Sequence, residues 1–205
     1  MLESSAEQVP AAPPFGGPEG NEVLTSAAAV ILTLLLAAEG ITIIDMGGLR
    51  SPHMFIGLVL IPPVLVKLAS TGYRFARYYT RAASYREKGP PILPLRLLAP
   101  LLVVSTLVVF GTGVALLLLG RRDGTLLQVH KVSFIVWGVI FAVHFLAYVP
   151  RTVRSLRSDW TRRRRREVAG TGARLAILGT SIIAGVGLAL ALLSLITGWH
   201  GERSF

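Results

Sequence analysis

The chain reads as an all-α protein, a polytopic transmembrane helix bundle with five spans. Three observations predict this. Of the 205 residues, 52% are hydrophobic and only 16% are charged, whereas a soluble domain carries nearer about a quarter charged. The charges are gathered between long apolar runs instead of being interspersed with them. Five such runs have the length of helix, roughly 20 residues, that a bilayer core demands. Helices are the physical choice because lipid cannot satisfy loose backbone groups, and the runs are too long and too uniformly apolar for barrel strands.

Residues 1–22 contain Pro10, Pro13, Pro14 and Pro18, three glycines and four glutamates, and are expected to form a disordered cytoplasmic tail. No positively charged segment precedes the first apolar run, so a cleaved signal peptide is not expected. The transmembrane domain is placed at 23–199. Its first span runs from about Val23 to Ile44 and holds Glu39; the second runs from about His53 to Gly72 and holds Lys67. The third, about Leu97 to Leu119, carries no charge. The fourth, about Leu126 to Val149, contains His130, Lys131 and His144. The fifth, about Leu175 to Thr197, is again uncharged, and 200–205 is a short outer tail.

The loops set the direction. Between spans two and three lie Arg74, Arg77, Arg81, Arg86, Lys88 and Arg96; between spans four and five lie Arg151, Arg154, Arg157, the run Arg162–Arg166 and Arg174. Together these are fifteen of the 21 basic residues, while the loops at 45–52 and 120–125 carry only Arg50, Arg121 and Arg122. The two basic loops are therefore expected on the cytoplasmic side of the cell membrane, with the N-terminus inside and the C-terminus outside. The net charge of +10 is explained by topology and by contact with anionic lipids at these loops, with no nucleic-acid partner expected.

The chain has no cysteine, which excludes disulfides, thiolate metal sites and thiol nucleophiles. No catalytic serine, HExxH or phosphate-loop motif is present, so hydrolase and NTPase chemistry is not expected. Chemistry must then rest on the few titratable groups within the spans, Glu39, His53, Lys67, His130 and His144, each of which is costly in lipid. His130 and His144 are 14 residues apart on one helix. Such a spacing puts them within about 40° of one face and roughly 21 Å apart along the axis. Paired haems in transmembrane b-type cytochromes require one helix to supply a ligand at each of two depths, and a second helix to supply the partners. His53 opens span two as His130 opens span four, so these two are candidate ligands of one haem iron at the outer side. The matching inner position on span two is Lys67, so His144 has no histidine partner there, and the phase between His53 and Lys67 is blurred by Pro62 and Pro63. The bland reading of the same residues is interfacial histidines, snorkelling lysines and a His144 hydrogen-bonded to a carbonyl that a proline frees. Gly111 and Gly113 on span three permit close approach of a helix or a flat ligand. Gly185 and Ala189 form a small-xxx-small pattern on span five, expected at a tight helix contact.

The runs His53-Met54-Phe55-Ile56-Gly57, Lys67 to Tyr79 (KLASTGYRFARYY) and His130-Lys131-Val132-Ser133-Phe134, with Trp137 and His144, resemble a group of multi-pass actinobacterial membrane proteins. These in turn resemble the four-helix b-type cytochromes of the bacterial cytochrome b561 kind. The resemblance covers about residues 50–150. It implies a four-helix cytochrome-b-like core, haem b as cofactor, His53, His130 and His144 at ligand places, and electron exchange with quinones or with a membrane or redox partner protein. Lys67 departs from that pattern at the inner site.

Three functional readings stand at this point: a b-type haem-binding electron-transfer subunit, a haemless membrane anchor or regulatory subunit of a partner complex, and a proton or ion transporter using Glu39 and the outer histidines. The orientation is testable directly, because the cysteine-free chain gives no background. A membrane-impermeant thiol reagent on intact cells should label Gly124→Cys and spare Ser84→Cys; labelling of Ser84→Cys overturns the topology.

Overall fold

The computed structural model describes residues 16–87, 93–120, 124–159 and 170–201. Its elements are α1 (Gly17–Ile44), α2 (Arg50–Tyr79), α3 (Ala83–Glu87), α4 (Leu93–Leu119), α5 (Gly124–Asp159), α6 (Thr171–Ala191) and α7 (Leu193–Gly201), with no strand among the described residues. Five helices, in α1, α2, α4, α5 and α6, are long and apolar enough to cross a membrane, which makes this a multi-pass membrane protein. The arginine run at 162–166 lies outside the described residues.

Two ends differ from the sequence expectation. The first helix begins at Gly17 instead of Val23, because Gly16 adopts a left-handed conformation (φ 78°) as N-cap, Pro18 fits the first turn and Glu19 complements the helix dipole. Residues 17–22 are thus helical, and the rest of the expected tail lies outside the described residues. The fifth span stops at Ala191, and after Leu192 the chain continues as α7, whose Ile196 is buried against the core formed by Leu58, Val59, Leu117 and Ala189.

The helix α2 is the centre of the bundle. It packs most closely on α1 and α6, while α4 and α5 form a second tight pair that meets α2 mainly through α4. The expected interruption at Pro62 and Pro63 does not occur: α2 is continuous with both prolines inside it. Proline has no amide hydrogen, so Pro63 withdraws the bond that the Val59 carbonyl would otherwise accept. At this point α6 crosses. A Cβ built on Gly185 would run into the Val59 carbonyl oxygen and lie 3.1 Å from the Val59 Cα. Gly185 sits in a buried stripe with Leu178, Ser181 and Ala189, so the small residues of span five pack against their own bundle.

Polar contacts tie α1 to α2 along their length. Asn21 Nδ2 donates to the Ser70 carbonyl at 3.0 Å, Thr25 Oγ1 donates to Ser70 Oγ at 2.9 Å, and Lys67 Nζ donates to the Thr25 carbonyl at 2.8 Å. The pair α4–α5 is tied by Trp137 Nε1, which donates to Thr106 Oγ1 at 3.0 Å. Beyond the spans, Arg96 at the base of α4 donates to the Tyr79 hydroxyl at the end of α2. Along α5 the side chains divide cleanly: Val129, Val132, Val136, Val139, Val143 and Leu146 are exposed as a lipid-facing stripe, while His130, Trp137 and His144 occupy the half-buried opposite face.

The α2–α6 crossing makes a specific prediction. Gly185→Ala should lower the melting temperature in detergent, over-packing being worth about 1–3 kcal/mol. Gly187→Ala, with nothing within 4 Å of its Cβ position, should leave it unchanged or raise it by up to about 1 kcal/mol through helix propensity. Equal effects at the two positions would contradict this contact.

Candidate functional site

Four helices converge at the end of the bundle where the short 45–49 and 120–123 connections lie. Glu39 and Thr42 come from the last turns of α1, three residues apart and so on one face. His53 comes from the first turn of α2, Thr112 from the last third of α4, and His130 from the second turn of α5. The His53 and His130 rings lie with centroids 6.5 Å apart and planes at 76°. The sequence expectation that these two histidines share a depth therefore matches where the structure puts them. His144, further along α5, is not in this cluster; it stacks on Tyr148 with centroids 4.6 Å apart.

The hydrogen bonds around each ring bear on its tautomer. Thr42 Oγ1 donates its only proton to the Glu39 carbonyl at 2.6 Å and lies 3.0 Å from His53 Nδ1. A hydroxyl that gives its hydrogen to the Glu39 carbonyl accepts at the second contact, which favours the His53 tautomer with the proton on Nδ1. Glu39 Oε1, 3.1 Å from the same nitrogen, is a second acceptor for it. The same argument applies on the other helix pair. Thr112 Oγ1 has its one hydrogen shared between the carbonyls of Val108 (2.7 Å) and Val109 (3.0 Å), which places it to accept at 3.0 Å from His130 Nδ1. Each ring is thereby contacted at Nδ1 by a threonine hydroxyl, and a ring that carries its proton there has its lone pair on Nε2, the arrangement by which proteins orient metal-binding histidines.

Close packing keeps the rings in place. A Cβ on Gly113 would lie 3.2 Å from His130 Cε1, and one on Gly57 would lie 3.4 Å from Glu39 Oε1. Gly113 thus gives room to the His130 ring itself, whereas Gly111 faces open space. Glu39 and His53 side chains are 13% and 22% exposed, and Glu39 Oε2 is buried without a hydrogen-bond partner. Arg50 stands three residues before His53 at the same end; Arg121 and Arg122 lie outside the described residues.

The donor set discriminates among metals. Among the described residues no group of three or more His, Cys, Asp or Glu side chains could hold an ion, so a zinc or calcium site made of protein alone is not built here. Two imidazoles suffice only where a macrocycle fills the remaining positions, as in haem. With metal–imidazole bonds of about 2.0–2.1 Å, two rings on opposite sides of one ion place their centres about 6–6.5 Å apart. The 6.5 Å found for His53 and His130 fits that requirement.

At the opposite, arginine-rich end, Lys67 uses one N–H on the Thr25 carbonyl at 2.8 Å. It is held as a donor, and a protonated lysine has no lone pair for iron. His144 Nδ1 is buried with no hydrogen-bond partner, so the bland expectation of a bond to a proline-freed carbonyl is not met at that nitrogen. The threonines that orient the two rings were not singled out from the sequence, because threonine in an apolar helix ordinarily bonds to its own backbone; only the one-turn spacing of Glu39 and Thr42 hinted at a shared face. Compared with known proteins, the chain matches no family model, no curated protein and no solved structure.

Proposed function

We propose that this chain is a membrane-embedded, b-type haem protein that carries electrons, with His53 and His130 as the two axial ligands of a single haem. The observation that carries the reading is the pair of rings: two imidazoles from different helices, 6.5 Å apart, each contacted at Nδ1 by a threonine hydroxyl. Rings oriented in this way have a purpose as metal ligands that they lack as packing. A haem bound there supplies a one-electron iron couple within the bilayer.

The surrounding residues perform defined tasks in this reading. Thr42 and Thr112 fix ring orientation. Glu39 accepts from His53 Nδ1–H and so increases the electron-donating character of Nε2. The close fit of Gly113 against His130 keeps that ring from rotating away. The paired threonine–histidine units sit on two separately packed helix pairs, α1–α2 and α4–α5, so a ligand bridging the rings would also join the halves of the bundle. A second reading, proton conduction, draws on the buried Glu39–His53 pair.

The test is a reduced-minus-oxidised absorbance spectrum with haem quantified per chain, on protein expressed with ample haem. One haem per chain is expected, lost on His53→Ala and on His130→Ala and kept on His144→Ala. Thr112→Val should retain haem but shift its reduction potential or its low-spin magnetic spectrum, since ring orientation is then released. A wild-type protein that stays colourless, or haem content indifferent to His130, refutes the haem reading; a colourless protein that conducts protons in vesicles and stops on Glu39→Gln supports the second.

A further inference from the structure

Lys67 and His144 each stand 14 residues beyond His53 and His130, on α2 and α5 respectively. Equal steps along two helices that run the same way produce equal rise, roughly 21 Å, and equal rotation. The second pair therefore lies at one level, as the first does, and Lys67 is near enough to His144 for its charge to act on the ring.

The chemistry of this second level is unlike the first. An ammonium has three N–H donors; the Lys67 group makes one hydrogen bond, to the Thr25 carbonyl, and no ion pair among the described residues. At the same level, His144 Nδ1 is buried without a hydrogen-bond partner. A cation inside the membrane without a counter-charge is costly, and so is an unsatisfied ring nitrogen. With the ring proton on Nδ1 the two needs are complementary to one acceptor: an anionic oxygen answers both. The two residues stand on helices that are not packed directly on each other. The level lies within two or three turns of Arg74 and Arg77, where lipid headgroups meet acyl chains.

We propose that Lys67 and His144 form a binding site for the acidic headgroup, phosphate or carboxylate, of a membrane amphiphile that enters between α2 and α5 from the arginine-rich end. The site is distinct from the surface arginines. A headgroup held by Lys67 is drawn into the bundle and shielded from salt, whereas contacts to loop arginines are screened at high ionic strength. It is also independent of the haem reading, since neither residue holds the His53–His130 pair.

The experiment uses the full chain in nanodiscs of phosphatidylcholine containing a minor fraction of either phosphatidylglycerol or oleic acid. The discs are washed in about 1 M salt, where the Debye length is about 3 Å, and the lipid retained per chain is counted by native mass spectrometry. Wild type is expected to keep one acidic lipid, and the acid retained identifies the headgroup as phosphate or carboxylate. Lys67→Met should reduce retention about tenfold, the worth of one charge-assisted contact. His144→Leu should reduce it several-fold and carries the test if Lys67→Met does not fold. Arg77→Gln should leave it unchanged. Haem content, measured on the same samples, should not follow these changes. Retention no better than phosphatidylcholine, retention indifferent to Lys67 or His144, or loss on Arg77→Gln as large as on Lys67→Met would overturn the proposal. Thermal stabilisation by inorganic phosphate alone, equal to that by lipid, would overturn its amphiphile part.

Discussion

Pro63 has no amide hydrogen, and the Val59 carbonyl one turn before it is therefore left without its usual partner in the middle of a membrane helix. In a bilayer there is no water to take that role. The bundle answers with α6, which approaches so closely at Gly185 that a Cβ there would collide with the Val59 carbonyl. Leu58, Val59, Leu60 and Pro63 are all buried at this crossing, and Ala189 beside it is 0% exposed. The rest of the architecture depends on this contact. It keeps α2 continuous through two prolines, and a continuous α2 carries His53 at one end and Lys67 nearer the other in defined phase.

Polar side chains within the spans are the second organising feature, and they work in pairs of helices. Helix α1 is joined to α2 by Asn21, Thr25, Ser70, Lys67, Glu39 and His53. Helix α4 is joined to α5 by Thr106 with Trp137 and by Thr112 with His130. Between apolar helices in lipid there is little hydrophobic drive to associate, so such hydrogen bonds and close van der Waals contacts have to specify the neighbours. The two histidines thus serve as partners within their own helix pair through Nδ1. The paired imidazoles of His53 and His130 bring the two helix pairs together at one end.

The two levels also show why one helix repeat can serve different ends. The 14-residue step repeats on α2 and α5 alike, yet the residue types at its two ends differ. One level pairs two imidazoles, and the other sets a lysine and a histidine at the same depth. An aromatic series, Phe134, Trp137, Phe141 and Phe145, stacks along α5 at centroid spacings of 6.1, 4.8 and 5.6 Å, on its half-buried face.

By itself the sequence determined the helical class, the number of spans and the approximate place of each. Apolar length and clustered arginines are one-dimensional properties, and a bilayer converts them into helices with little choice. It also put His53 and His130 at one depth, because rise per residue is constant in a helix. Only the tertiary structure decided that Pro62 and Pro63 do not break α2, that Gly185 rather than Gly187 is the contact glycine, and that Thr42 and Thr112 orient the histidines. Those outcomes depend on which helix lies against which and at what rotation. Such side-chain contacts are formed between residues 11 to 126 positions apart in the chain, a separation over which no local periodicity carries information.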